Sequence, residues 1–385
     1  VERIDPNALS FPAYPPPPYM TLLFICAGLE PGRDGVGDYV RLLASACLAR
    51  GHRCVLLALH DPHIVRRHDD TSDTLRVIRL PAESPWPERL ADASDLSLRL
   101  APDWISWQFV AYGFHPRGFL PATLLQAAAN LRGPRCHVMV HELWLGLEVG
   151  APLRDRALGW LQRRGVTCLL DQLDADVVHT SNATYRAALA REGHPAEVLP
   201  LFGNVPIASD AATSSTQFTG VTFGTLHPQW RPAATAEWLL TTAERHKRPP
   251  ALLVLGRAGA HAPRLLDAFR DRDIAVTETG ELDHVAVSRH FATADFGIAP
   301  HPWALIGKSG AAAALLEHGL PVLVPRDDWR LRGTSAESAP TDPLLARLAD
   351  LDALATDHWL ASRRAPASVL PRTADAFLQA LETCS

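Results

Sequence analysis

Residues 304–324 read ALIGKSGAAAALLEHGLPVLV, and their order decides how the second half of the chain is built. A Gly-Lys-Ser-Gly turn opens an alanine-rich run. Short apolar stretches bounded by breakers stand before it (296–299) and after it (321–325), so the unit reads strand, loop, helix, strand. Such loops face the ligand side of a parallel sheet. The first amides of a helix lack intrahelical partners and carry the positive end of its dipole, which makes this an anion site; Lys308 adds a cation and Ser309 a hydroxyl, with Gly310 and Ala311 supplying backbone. A Walker A loop is excluded, because the glycine it needs five residues before Gly-Lys-Ser is here Pro302. Tight packing alone accounts for the alanines and leaves Lys308 unexplained.

Outward from this unit the same alternation recurs. Strands are expected at 221–223, 251–255 and 274–277, with helices at 233–246, 263–270 and 283–294 between them. The first half repeats the pattern from a strand at 22–27 and a helix at 39–50 through strands at 53–59, 75–80, 104–109, 137–140, 177–180 and 197–199. Between the halves, prolines, Gly203 and a small polar run break the rhythm. The expected organisation is a proline-rich leader (1–19), a first α/β domain (20–205), a linker (206–219), a second α/β domain (220–370) and a closing helix (371–385). The fold class is α/β, with two parallel-sheet domains facing across a cleft.

Composition narrows the function. The 385 residues carry a net charge of −5, so nucleic-acid binding has little electrostatic support, with local basic pockets left open. Cys26, Cys47, Cys54, Cys136, Cys168 and Cys384 lie scattered without a CxxC pair, as free thiols in a reducing, cytoplasmic compartment would. No apolar run reaches the length of a membrane span, which leaves peripheral membrane contact open.

Candidate site residues cluster at strand ends. The loop 28–37 is glycine-rich, but Gly28, Gly32, Gly35 and Gly37 do not make G-x-G-x-x-G, so a dinucleotide site and an oxidoreductase are disfavoured. A substrate approaching the backbone near Gly37 and Asp38 is the functional reading, and a plain turn is its equal. His141 and Glu142 follow the strand at 137–140, where a histidine can bond a sugar hydroxyl or move a proton, with a histidine satisfied by local backbone as the equal alternative. Trp107 and Tyr112 are candidate acceptor platforms, with packing against the next helix as the plainer alternative. In the second half, Gly224-Thr225 opens a loop that ends in Arg231, a candidate phosphate cation, and Gly256 and Gly280 end further strands, which suits close backbone approach and equally suits ordinary strand termination. Asp174-Ala-Asp176 matches a metal-site string but sits before a strand, and His60, Asp61, His63 and His68 have no ligand spacing, so no metal is expected and that stretch reads as a solvated loop.

The ordered fragments GVGDYVRLLASACLARGH (35–52), VHE (140–142), VVHTSNATYRAAL (177–189), VLPLFGNVP (198–206), VTFGTL (221–226), LLVLGRAG (252–259), TGEL (279–282), ADFGIAPHPW (294–303) and HGLPVLV (318–324) together resemble the GT-B glycosyltransferases of the GT4-like group. The resemblance runs over nearly the whole chain from Met20. It implies two Rossmann-like domains, an acceptor-binding first half and a second half that binds a nucleotide-diphosphate sugar as co-substrate, with no further cofactor. It further implies metal-independent, retaining transfer of a hexose-like sugar, from a UDP- or GDP-type donor, to a glycan, lipid-linked or small-molecule acceptor. By position it implicates His141, Arg231 and Lys308 in catalysis and Gly224, Thr225, Gly256, Gly280, Leu282, His301, Ser309, Gly310, Ala311 and Glu317 in donor binding. Two departures stand out. The family's paired glutamates fall at Ile306 and Ala314, and Glu317, one helical turn on, is expected to take the ribose. The phosphate-binding arginine and lysine fall at Thr225 and Trp230, with Arg231 adjacent. A protein of this fold that binds a nucleotide or sugar without turnover is the alternative.

Overall fold

The computed structural model describes residues 19–71, 75–208, 215–334 and 342–384. The proline tract, most of the polar run at 209–216 and the middle of the polar loop at 330–342 lie outside the described residues. The first sheet contains β1 (Thr21–Cys26), β2 (Arg53–Asp61), β3 (His68–Asp70), β4 (Arg76–Pro81), β5 (Trp104–Phe109), β6 (Cys136–Val140), β7 (Val177–Thr180) and β8 (Glu197–Val198). They pair in the order β3-β4-β2-β1-β5-β6-β7-β8. Among the described strands of this sheet, only β3 runs antiparallel to its neighbour. The central strands are buried on both faces, as a sheet covered by helices requires; they are mostly apolar, with Ser106, Gln108 and His137 as buried polar members of β5 and β6.

The second sheet holds β9 (Phe218–Phe223), β10 (Pro250–Leu255), β11 (Ala275–Glu278), β12 (Phe296–Ile298), β13 (Val322–Val324) and β14 (Leu345–Arg347). Their order is β11-β10-β9-β12-β13-β14, all parallel. β9 begins inside the stretch read as linker, because Phe218 is buried and pairs with Pro250.

In each sheet the strand order reverses beside the first strand, between β1 and β5 and between β9 and β12. Open α/β sheets bind ligands in the crevice at such switch points. The loops after β1, β5, β6, β9 and β12 therefore define where a site must form.

Several contacts tie the domains together, two of them away from the cleft. Leu331 joins the apolar core of the first domain, and the 330–332 segment pairs with the loop after β6: Val149 N–H donates to Arg330 O at 2.9 Å and Arg332 N–H to Leu147 O at 2.9 Å. The helix Leu370–Thr383 crosses back to the first domain, where Ala374, Phe377, Leu378 and Leu381 pack in one cluster with Tyr39, Val40 and Leu43 of the helix Gly35–Leu48.

Residues 62–67 form a largely exposed loop, as expected, but the ends of the stretch differ, since His60 and Asp61 close β2. Asp61 is fully buried, accepting from Leu29 N–H and His63 N–H at 3.0 Å each and from Arg79 Nε at 2.7 Å. Arg79 also bonds Glu30, so the first loop is pinned from beneath by an ion-pair network. His68 lies in β3.

Candidate functional site

The helix expected to begin at Tyr39 starts four residues earlier, at Gly35. Asp34 caps it, its Oδ1 accepting from Val36 N–H at 2.9 Å and Gly37 N–H at 3.3 Å. That cap outweighs two glycines in the first turn. Gly37 is required for space: a Cβ there would stand 2.8 Å from Gly28 O. Asp38 accepts from Gly32 N–H at 3.0 Å and holds the loop closed on itself.

Across the cleft, β12 leads into a 3-10 turn, Trp303–Lys308, rather than an open loop, and the helix Gly310–Glu317 follows. Ser309 caps that helix, its Oγ accepting from Ala312 N–H at 3.2 Å and lying 3.3 Å from His301 Nδ1. Gly307 seats the turn against the first domain, where an added Cβ would approach Ser181 O to 3.0 Å. Thr184 Oγ1 donates to Ala304 O at 2.6 Å in the same contact.

Lys308 therefore projects to the first domain, where Nζ meets Glu142 Oε1 at 2.6 Å and stands 5.8 Å from the Tyr185 ring centre. Burial pulls the Lys308 pKa down, but Tyr185 and Glu142 outweigh it and hold the group above the ordinary lysine value. His141 sits beside it with Nε2 3.0 Å from Gln108 Oε1 and the Tyr39 ring edge-on at 4.9 Å. Burial drives its pKa down to about 3, so the imidazole is neutral.

His141, Glu142, Lys308, Gly224, Gly310 and Ala311 line one cavity of about 480 Å³ together with Asp34, Val36, Tyr39 and Phe202. Gly224, Gly256 and Gly280 follow the ends of β9, β10 and β11, with Gly224 N–H on Leu255 O and Gly256 N–H on Gly280 O, each at 2.9 Å. Gly224 has φ +75° and no atom within 4 Å of a would-be Cβ, which leaves bare backbone for a ligand. Thr225 is exposed and donates to Arg257 O at 3.3 Å; Leu282 is exposed beyond Gly280. Thr225, Gly256, Gly280 and Leu282 extend the strand-end shelf without lining the cavity. His301 and His227 stand 6.3 Å apart, both lowered to about 4 by burial first and then by the neighbouring Lys308 and Arg326 cations.

Four expected site residues fall elsewhere. Arg231 is exposed in a separate cavity of about 650 Å³, with Arg264 and Arg326. Trp230 takes the core position, and that turns its neighbour away from Lys308. Trp107 is wholly buried and its indole N–H donates to Leu131 O at 3.0 Å, so it is core and no platform. Tyr112 bonds Gln162 at 3.0 Å and does not line the cavity. Glu317 is buried under the helix, its carboxylate accepting from Val369 N–H at 2.7 Å and from the Gly203 amide, which leaves it outside the cavity lining and without the ribose role expected of it.

Conversely, Asp34, Tyr39 and Arg326 were not singled out by sequence. Arg326 donates to His227 Nδ1 at 2.8 Å, Gln229 Oε1 at 3.0 Å and Asp328 at 3.0 Å, bracing the loop after β9. Its signal was its place just past the strand at 321–325. Asp34 stood before a helix as an acid cap does. Among the described residues no group of three His, Cys, Asp or Glu is placed to hold a metal ion, and no helix is long and apolar enough to cross a membrane.

Two parallel-sheet domains with their switch points facing one cleft define the GT-B architecture, and solved GT-B enzymes superpose over most of the chain. HepE of Anabaena, solved with UDP, is 13% identical over 95% of this chain and 97% of its own, with a TM-score of 0.55. Sucrose-phosphate synthase of Thermosynechococcus elongatus is 16% identical over 94% and 96%, at 0.56. The starch synthase IV catalytic domain of Arabidopsis thaliana, bound to ADP and acarbose, is 12% identical over 95% and 99%, at 0.52. Residues 34–204 match the family model of the glycosyl transferase 4-like domain, so the first domain is of that kind. No curated protein sequence matches the chain.

Proposed function

We propose that the protein moves a sugar from a nucleotide-diphosphate donor to an acceptor hydroxyl, without a metal and with retention at the anomeric carbon. The observation that carries this is Lys308, held at the start of the helix Gly310–Glu317 and facing His141 across a single cavity. The diphosphate lies on the amides of Gly310 and Ala311 with Lys308 above it, and takes the place of Glu142 as the lysine's anionic partner. The Gly224, Gly256 and Gly280 shelf, with Thr225 and Leu282, receives the nucleoside. His141 meets the transferred sugar, and the acidic loop around Gly37 and Asp38 receives the acceptor, whether glycan, lipid-linked or small. Preorganised charge at the departing diphosphate supplies the main catalytic term.

The reading is tested by a thermal-shift panel of UDP-, GDP- and ADP-sugars against the matching monophosphates, since ligand binding raises apparent stability by mass action. A shift with a diphosphate and none with its monophosphate is expected; no shift with any diphosphate overturns the reading. A binding protein without turnover is favoured by one observation: Ile306 and Ala314, at the family's glutamate positions, are buried and bring no carboxylate to the sugar. Anomeric analysis of the product in the presence of a chelator separates the two.

A further inference from the structure

Behind His141 runs a row of polar side chains through the interior of the first domain. Ser106 and His137 are fully buried, and Gln108 and His179 nearly so. They sit on adjacent strands, Ser106 and Gln108 on one face of β5, His137 opposite Ser106 on β6, and His179 on β7. Buried polar groups are costly unless bonded, and here the partners are one another. Gln108 Nε2 donates to Ser106 Oγ at 2.8 Å, Ser106 Oγ lies 2.8 Å from His137 Nδ1, and His137 Nε2 lies 3.0 Å from His179 Nδ1. At the other end Gln108 Oε1 lies 3.0 Å from His141 Nε2.

The roles in this row are not independent. A neutral imidazole has one N–H and one lone pair, a hydroxyl has one proton, and an amide donates only from nitrogen. With the Gln108 nitrogen turned to Ser106, its oxygen must accept from His141 Nε2–H. Ser106, having accepted, donates to His137 Nδ1. His137 then carries its proton on Nε2 and gives it to His179. Every donor points the same way, and reversing only part of the row leaves a buried proton without an acceptor or sets two donors or two acceptors against each other.

We propose that Gln108, Ser106, His137 and His179 are positioning residues that fix His141 as its Nε2–H tautomer, leaving Nδ1 as a bare acceptor for a hydroxyl of the donor sugar. The sugar contact rests on the function proposed above; the tautomer does not. The row defines what His141 can do. It accepts from a hydroxyl and gives nothing to the leaving group.

Proton–nitrogen correlation spectra of histidine-labelled protein test this without substrate, with His141 assigned from the signals lost in His141→Ala. Native protein is expected to carry the His141 proton on Nε2. Ser106→Ala unties the Gln108 amide and should populate the Nδ1–H form, and Ser106→Thr, which keeps the hydroxyl, should restore the native pattern. A functional arm measures the affinity gained by adding the sugar to the nucleotide, as UDP-glucose against UDP or the pair that the thermal-shift panel selects. That gain should fall about 2- to 10-fold in Ser106→Ala, the worth of one hydrogen bond. A native His141 protonated on Nδ1, or an unchanged tautomer in Ser106→Ala, overturns the proposal. A shifted tautomer with an unchanged sugar gain keeps the positioning row and overturns the sugar contact.

Discussion

The loop after β1 and the loop after β12 each flank the switch point of their sheet and lead into a helix, yet they carry opposite charge. In the first, the Asp34 carboxylate fills the helix N-terminus and burial raises its pKa although the Val36 and Gly37 amides pull the other way. In the second, neutral Ser309 is the cap and Lys308 stands beside it. Topology alone thus prepares two crevices, and the capping residue decides what each receives. An acid cap uses up the amides that a phosphate needs and offers an acceptor to a hydroxyl. A serine cap leaves most of those amides free.

The largest effect should come from giving the second loop the cap of the first. Ser309→Asp keeps a good N-cap and so preserves the helix, but sets a carboxylate against the diphosphate. Nucleotide-diphosphate affinity measured by calorimetry should fall by at least about 100-fold, because like-charge juxtaposition costs several kcal/mol. Equal affinity in variant and native protein would break the comparison outright.

Lys308→Ala removes the cation and keeps the cap. Loss of a charge-assisted bond of about 1.5–3 kcal/mol corresponds to roughly 10- to 150-fold weaker diphosphate binding, with little change for the bare nucleoside. A uniform loss for both would place Lys308 in the fold rather than the site.

The far end of the same helix sharpens the contrast between site and scaffold. Glu317→Ala strips the Val369 and Gly203 amides of their acceptor, so unfolding by urea should register a loss of about 1–3 kcal/mol. Nucleotide affinity should stay at its native value, and a fall in affinity with unchanged stability would return Glu317 to the donor site.

Asp34→Asn makes the smallest change, since asparagine caps as well as aspartate. Removing the charge from the cavity should tighten anion binding by about 0.3–1 kcal/mol at low salt, and the gain should vanish at high salt. A gain that survives high salt would assign it to geometry instead.

Much of this arrangement is legible in the sequence. Strands buried on both faces are mostly apolar runs, which is why β1, β5 and β6 are readable within a residue or so of their ends. Lys308 and Ser309 announce themselves by standing between a strand and an alanine helix. What fails is whatever depends on direction rather than order. Arg231 follows a loop whose preceding residue, Trp230, is claimed by the core beside Phe269, and no local pattern reveals that competition. Trp107 lies in a strand where every position is buried, so alternation gives no clue to which side chains reach solvent. Asp61 looks like loop because its partners, Arg79 and Leu29, are distant in sequence. Glu317 lies one helical turn from an expected ligand, and the segment entering the last helix, whose Val369 amide it accepts from, is unseen until the chain is folded.

The helix Leu370–Thr383 has a consequence for the timing of biosynthesis. Phe377 and its neighbours complete one apolar layer of the first domain, with Phe377 5.9 Å from Phe24 of β1, yet they are translated after the whole second domain. A nascent first domain leaves the ribosome with that layer open. Its greasy face over the helix Gly35–Leu48 must stay shielded, by a chaperone or by transient cover, until the last turns of helix arrive.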